Sequence, residues 1–206
     1  MQDRYAGDIG DFVKLAILRA LKPRRKLGIA WWLYPDESHN DDGKHVRYLQ
    51  NEAKWRGLDP DVFDRLAEIV RSGRRHIAAL QDDALLTDTV FFSELVPAHS
   101  RTTLSLQRRR GLRAEWFARL QTQLDGCDLV FLDPDNGLET SKFDLGASKA
   151  GKSVAISELM ALRRPGREIV VYHHHTRRKG GHALELEYWG ERLREAGFTT
   201  AAALRA

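Results

Sequence analysis

Apolar positions follow two rhythms along this chain. Compact β-prone runs at 27–34, 87–96, 129–132 and 167–172 suit strands, the third an uncharged run of the kind a parallel sheet buries on both faces. Between them, apolar residues recur every three or four positions. Phe12, Leu15, Ala16, Leu18 and Leu21 form one such series, Val62, Phe63, Leu66, Ile69 and Val70 a second, and Leu112, Trp116, Phe117, Leu120 and Leu124 a third. Further helices are expected over 153–162 and 183–196, and short strands at 102–106 and 199–204. Asp8 or Asp11 suits the start of the first helix, and Asp59-Pro60 that of the second. Strands alternating with helices from residue 27 onward predict an α/β fold, a three-layer sandwich with a mainly parallel central sheet. No linker or repeat divides the chain, so one domain is expected over 1–206, with 1–26 as an N-terminal helical extension and 27–206 as the core.

The strands stop in polar residues. Asp133-Pro134-Asp135-Asn136-Gly137 ends the most apolar of them: Pro134 removes a backbone donor and Asn136-Gly137 is turn chemistry. The strand at 27–34 runs into a loop holding Asp36, Glu37, His39, Asp41, Asp42 and His45, Glu94 closes the strand at 87–96, and the last buried-type run leads into His173-His174-His175-Thr176-Arg177-Arg178-Lys179. In a parallel sheet these ends share one edge, where ligands bind in open α/β folds. A carboxylate-rich turn is also an ordinary chain reversal, and an acidic loop an ordinary solvated one.

Composition narrows the setting. The chain has 206 residues, 42% hydrophobic and 30% charged, with a net charge of +4. The positive residues cluster at 22–26, 74–75, 108–110, 163–164 and 177–179, which suits a polyanion such as nucleic acid, although arginine also decorates solvated surfaces. The single cysteine, Cys127, excludes an internal disulfide and a Cys-rich zinc site. Without an apolar run of spanning length or a signal-peptide pattern, the cytoplasm is expected. There is no Walker A sequence, no Gly-x-Gly-x-x-Gly after the first strand and no serine elbow.

Taken together, Ala6-Gly7-Asp8-Ile9-Gly10-Asp11-Phe12-Val13-Lys14, the acid Glu94 and the tetrad Asp133-Pro134-Asp135-Asn136 resemble motifs of Rossmann-type S-adenosylmethionine-dependent methyltransferases. The nearest likeness is to the bacterial family that methylates adenine N6 in large-subunit ribosomal RNA. The sequence also looks like a bacterial and phage group sharing the stretch Leu132 to Glu139. The methyltransferase resemblance implies a Rossmann-like topology and S-adenosylmethionine as cofactor. By this likeness Asp133 accepts a hydrogen bond from the base amine, Glu94 holds the cofactor ribose, and Lys14 and Asp11 line the site. Three departures stand out: the glycine-rich loop is replaced by Pro35-Asp36-Glu37-Ser38-His39-Asn40, Asp135 adds a negative charge where the family has proline, and the tetrad's aromatic is replaced by Asn136.

Three readings follow. In the first, a methyltransferase acts on a nucleic-acid base, with Asp133, Asp135, Asn136, His173 and His175 as candidate catalytic residues and Lys14, Asp11, Asp36 and Glu94 toward the cofactor. Arg177, Arg178 and Lys179 then take substrate phosphates. In the second, a nuclease or phosphohydrolase holds magnesium or manganese on Asp133, Asp135 and His173. The third is a non-catalytic nucleic-acid-binding protein.

Overall fold

The computed structural model describes residues 1–37, 45–81, 85–97, 103–140, 142–174, 180–199 and 202–203. Four parallel strands make the central sheet: β1 (Leu27–Ala30), β2 (Thr89–Phe92), β3 (Leu129–Leu132) and β6 (Glu168–Val171), in the order β2-β1-β3-β6. A two-stranded parallel ribbon, β4 (Gly137–Leu138) with β5 (Ser153–Val154), leaves the end of β3. The helices are α1 (Ile9–Leu21), the single turn α2 (Glu52–Trp55), α3 (Pro60–Arg71), α4 (Leu106–Gln123), α5 (Ile156–Leu162) and α6 (Gly181–Glu195). The chain leaves β1 for β2 on one side, then returns to β3 on the other. The direction of winding therefore changes between β1 and β3, where a Rossmann-like sheet opens its crevice.

Alternation along the strands divides the core into two halves. Leu27, Ile29, Leu129 and Phe131 face α1 and α3, where Phe12, Leu15, Leu18, Val62, Phe63, Leu66 and Ile69 are buried. Ala30, Val130 and Leu132 face α4 and α5, where Trp116, Phe117, Leu120, Leu159 and Leu162 are buried, with Trp189 and Leu193 of α6 packed alongside. This is the three-layer α/β sandwich of the sequence reading. Gly28 is required by close approach: a Cβ there would lie 2.8 Å from the Cys127 sulfur and 2.9 Å from Leu124 Cδ2.

Several boundaries differ from expectation, each for a local reason. β1 stops at Ala30, and Trp32 bends away in the left-handed region (φ 49°) with its indole buried against Trp116 and beneath the Arg113 guanidinium. Ser105 is not in a strand; its hydroxyl accepts from Arg108 N, caps α4 and starts that helix at Leu106. Residues 153–154 pair with β4 before α5 begins. β6 lies at the sheet edge and is only partly buried. Residues 202–203 are not strand, and the remainder of that expected strand, like residue 102, lies largely outside the described residues. Within the first 26 residues, α1 packs in the core and Met1 is 2% exposed. Among the described residues no helix is long and apolar enough to cross a membrane.

Candidate functional site

Asp133 is the first residue after β3. Its amide donates to Ala30 O at 3.0 Å, which holds it beside the end of β1. Strand parity turns its side chain toward α1, as it does Phe131. On α1, the Asp8 carboxylate accepts from Asp11 N at 3.1 Å and caps the helix, which sets Asp11 and Lys14 one turn in. Lys14 Nζ reaches Asp133 Oδ2 at 2.9 Å and Asp11 Oδ1 at 3.4 Å, and lies 4.2 Å from the centre of the Tyr172 ring. Burial works against the Lys14 charge, but Asp133 and then Asp11 outweigh it and hold its pKa above the ordinary lysine range. Burial also drives Asp11 up to about 7; Lys14 opposes the shift and Asp8 and Asp133 add to it. Asp133 Oδ1 makes no hydrogen bond among the described residues.

A second group adjoins the first at the switch point. The Met1 ammonium donates to Asp133 O at 2.9 Å and Trp32 O at 3.2 Å, and pairs with Asp135 Oδ1 at 2.6 Å. Gln2 Nε2 donates to Asp135 Oδ2 at 2.7 Å, and Gln2 Oε1 accepts from Glu37 N at 2.9 Å. Lys152 pairs with Glu37, sits 3.9 Å from Asp135 Oδ2 and lies 4.9 Å from the centre of the Tyr34 ring. Burial opposes ionisation of Asp135, yet the Met1 ammonium, Gln2 and Lys152 hold its pKa below the usual carboxylate value. Asn136 is exposed, and its amide donates to Lys152 O at 2.8 Å, which fixes the start of the β4–β5 ribbon.

The histidines differ from the expected assignment. Tyr172 lies in register beside Asp133, because its amide donates to Leu132 O, so residues 172 and 174 share the Asp133 face and 173 takes the other. His173 Nδ1 accepts from Leu138 N at 3.0 Å, its Nε2 lies 3.4 Å from Glu185 Oε1, and its ring packs on Trp189. It thus supports the β4 turn and α6, apart from the Asp133 carboxylate. His174 is the imidazole near the site: exposed, edge-on to Tyr172 at 4.8 Å, and without a hydrogen bond among the described residues. Desolvation by its neighbours, then Lys14, lowers its pKa against the pull of Asp133 and Asp135, which favours the neutral imidazole.

The other expected residues lie further out. Asp36 is exposed and accepts from Arg4 N at 3.4 Å. Glu94, just past β2, pairs with Arg119 of α4 at 2.8 Å. His175, Arg177, Arg178 and Lys179, with His39, Asp41 and Asp42, lie outside the described residues. Among the described residues no three His, Cys, Asp or Glu side chains converge on a position that would hold a metal ion. The trio of the metal reading is not assembled, since Asp133 and Asp135 face cations and His173 faces Glu185.

Met1, Gln2, Tyr172, His174 and Lys152 were not among the expected site residues. For Tyr172 and His174 a signal existed: aligning the two strand ends puts 133, 172 and 174 on one face. For Met1, Gln2 and Lys152 there was none, because their placement depends on long-range docking. The site as built is a buried carboxylate with one oxygen committed to lysine and one available, beside a ring of carbonyl and carboxylate acceptors around an ammonium. It can receive an amine at Asp133 and an ammonium at Trp32 O, Asp133 O and Asp135. Comparison of the chain with protein-family models, with curated proteins and with solved structures finds no match.

Proposed function

We propose that this protein is an S-adenosylmethionine-dependent methyltransferase acting on an amine of a nucleic-acid base. The observation that carries the reading is the uncommitted Oδ1 of Asp133, at the carboxyl end of β3 and beside the point where the sheet reverses its winding. An acceptor held there by Lys14 orients an incoming amine, and positioning of this kind supplies most of what a polar group transfer needs. His174, exposed on the same face with its neutral form favoured, takes the proton that the amine releases.

The donor set fits the cofactor at one end. Trp32 O, Asp133 O and Asp135 already surround an ammonium, and the same acceptors suit the α-ammonium of the cofactor once Met1 has left them. At the other end no glycine turn follows β1, where Trp31 and Trp32 are buried. Glu94 stands where a ribose is held in nucleotide-binding sheets. Its pair with Arg119 is half exposed, a contact of about 0–1 kcal/mol that a ligand can exchange. When bound, the cofactor supplies the methyl group as an electrophile.

The test is transfer of a radiolabelled methyl group from S-adenosylmethionine to RNA or DNA. Asp133→Asn, checked to be folded by circular dichroism, is expected to reduce the rate at least about a hundredfold. Transfer at an undiminished rate in that variant would remove Asp133 from the chemistry. Absence of transfer by the folded wild type to either nucleic acid would overturn the reading.

A further inference from the structure

The opposite edge of the sheet carries a cavity of about 550 Å³. Residues 22–26, which join α1 to β1, form one wall, and Leu85, Thr87 and Asp88, which lead into β2, form another. The cavity therefore lies at the amino ends of β1 and β2, a full strand length from Asp133. Five cations line it: Arg19, Lys22, Arg24, Arg25 and Lys26.

Two of these are committed. Arg19 is held by Asp59 at 2.9 Å, Asp61 at 2.6 Å and Leu85 O at 2.9 Å, and Arg25 by Glu168 at 2.8 Å. Lys22, Arg24 and Lys26 make no ion pair among the described residues, and the one carboxylate in the lining, Asp88, makes none either. Arg24 and Asp88 are two of the three described non-glycine residues with positive φ, at 65° and 51°. An arginine in this conformation costs about 1 kcal/mol or more, which the fold sustains while turning Arg24 to the cavity. Stabilisation of the α1 C-terminus accounts for Lys22, but Arg24 and Lys26 lie beyond the helix end.

We infer that this cavity is a phosphate-binding groove for a nucleic-acid backbone. Among the described residues no aromatic side chain lines it to stack on a base, and Arg24 and Lys26 are exposed along its rim. The groove attracts phosphates by charge and reads no sequence. Among the described residues, three unpaired cations against one carboxylate leave a net positive surface, with the Thr87 hydroxyl as an added donor. The inference rests on the proposed function only in its choice of nucleic acid as the polyanion.

The experiment is fluorescence anisotropy of a labelled single-stranded oligoribonucleotide over a series of salt concentrations. Single-strand binding weakens with salt by a log–log slope of about 0.7 for each phosphate neutralised. Lys22→Ala/Arg24→Ala/Lys26→Ala is therefore expected to lower the slope by about 2 and to weaken binding at least about tenfold at moderate salt. Asp88→Asn, which removes the opposing charge and leaves the cations in place, is expected to tighten binding. Neither the slope nor the affinity depends on methyl transfer, so failure of the transfer reading and failure of this one are distinguishable. An unchanged slope in the triple variant would overturn the inference, as would Asp88→Asn binding no tighter than wild type. Calorimetric binding of inorganic triphosphate at this groove, without any effect of the triple variant on RNA, would overturn the nucleic-acid assignment.

Discussion

Asp11 is buried one turn into α1, between Lys14 and the Gly7 amide, which donates to its Oδ2 at 3.0 Å. Burial is the largest of the forces that carry it from 3.8 to about 7. A carboxyl raised in this way binds its proton more tightly in the folded chain than in the unfolded one. Its contribution to stability is therefore complete below pH 3.8 and is lost as pH rises through about 7. Urea unfolding of wild type across that window is expected to show this loss, and Asp11→Asn, which has nothing to titrate, to remove it. An identical pH profile in the two proteins would mean that Asp11 does not titrate there. At this scale the positions of Asp133 after its strand and of Asp11 and Lys14 in the first turns of α1 were legible, because a polar stop after an apolar strand and a capped helix start are local signals, whereas their meeting came only from the resemblance. His174 was missed for His173 through strand parity, and Met1 and Gln2 through contacts more than 130 residues apart in sequence, such as Met1 with Asp133 at |i−j| of 132.

The ribbon formed by β4 and β5 depends on one backbone conformation. Gly137 has φ 81°, and a Cβ there would lie 2.1 Å from His173 Nδ1. Gly137→Ala thus combines left-handed strain with a steric clash and is expected to cost about 1–3 kcal/mol in denaturant unfolding. His173→Ala in the same chain should recover only the part due to the imidazole, and leave the part due to φ and to the His173 Cα, which the new Cβ would meet at 2.8 Å. Full recovery, or no cost in the single variant, would contradict this account of the turn. The Asn136-Gly137 sequence announced a turn, but two-residue strands carry too little pattern to be read from sequence. The start of α4 escaped for a different reason: Arg108, Arg109, Arg110 and Gly111 interrupt the apolar series, so the cap at Ser105 had no visible helix to begin.

In the whole molecule, the alternation of strands and helices was enough to give the layers and the parallel sheet, since each strand buried on both faces needs helices above and below it. The order of the strands was not written in that alternation. It places the change of winding between β1 and β3, and so brings Asp133, Lys14 and Asp135 together with the N-terminal residues. The two edges of the sheet divide the proposed work: amine and cofactor at the carboxyl ends, backbone phosphates at the amino ends. The most direct test of the central claim is isothermal titration of the folded protein with S-adenosylmethionine, beside Glu94→Ala. The account predicts about micromolar binding to wild type, weakened at least about tenfold in Glu94→Ala by loss of the ribose contact. No heat of binding to folded wild type, or equal affinity in the two proteins, would contradict it.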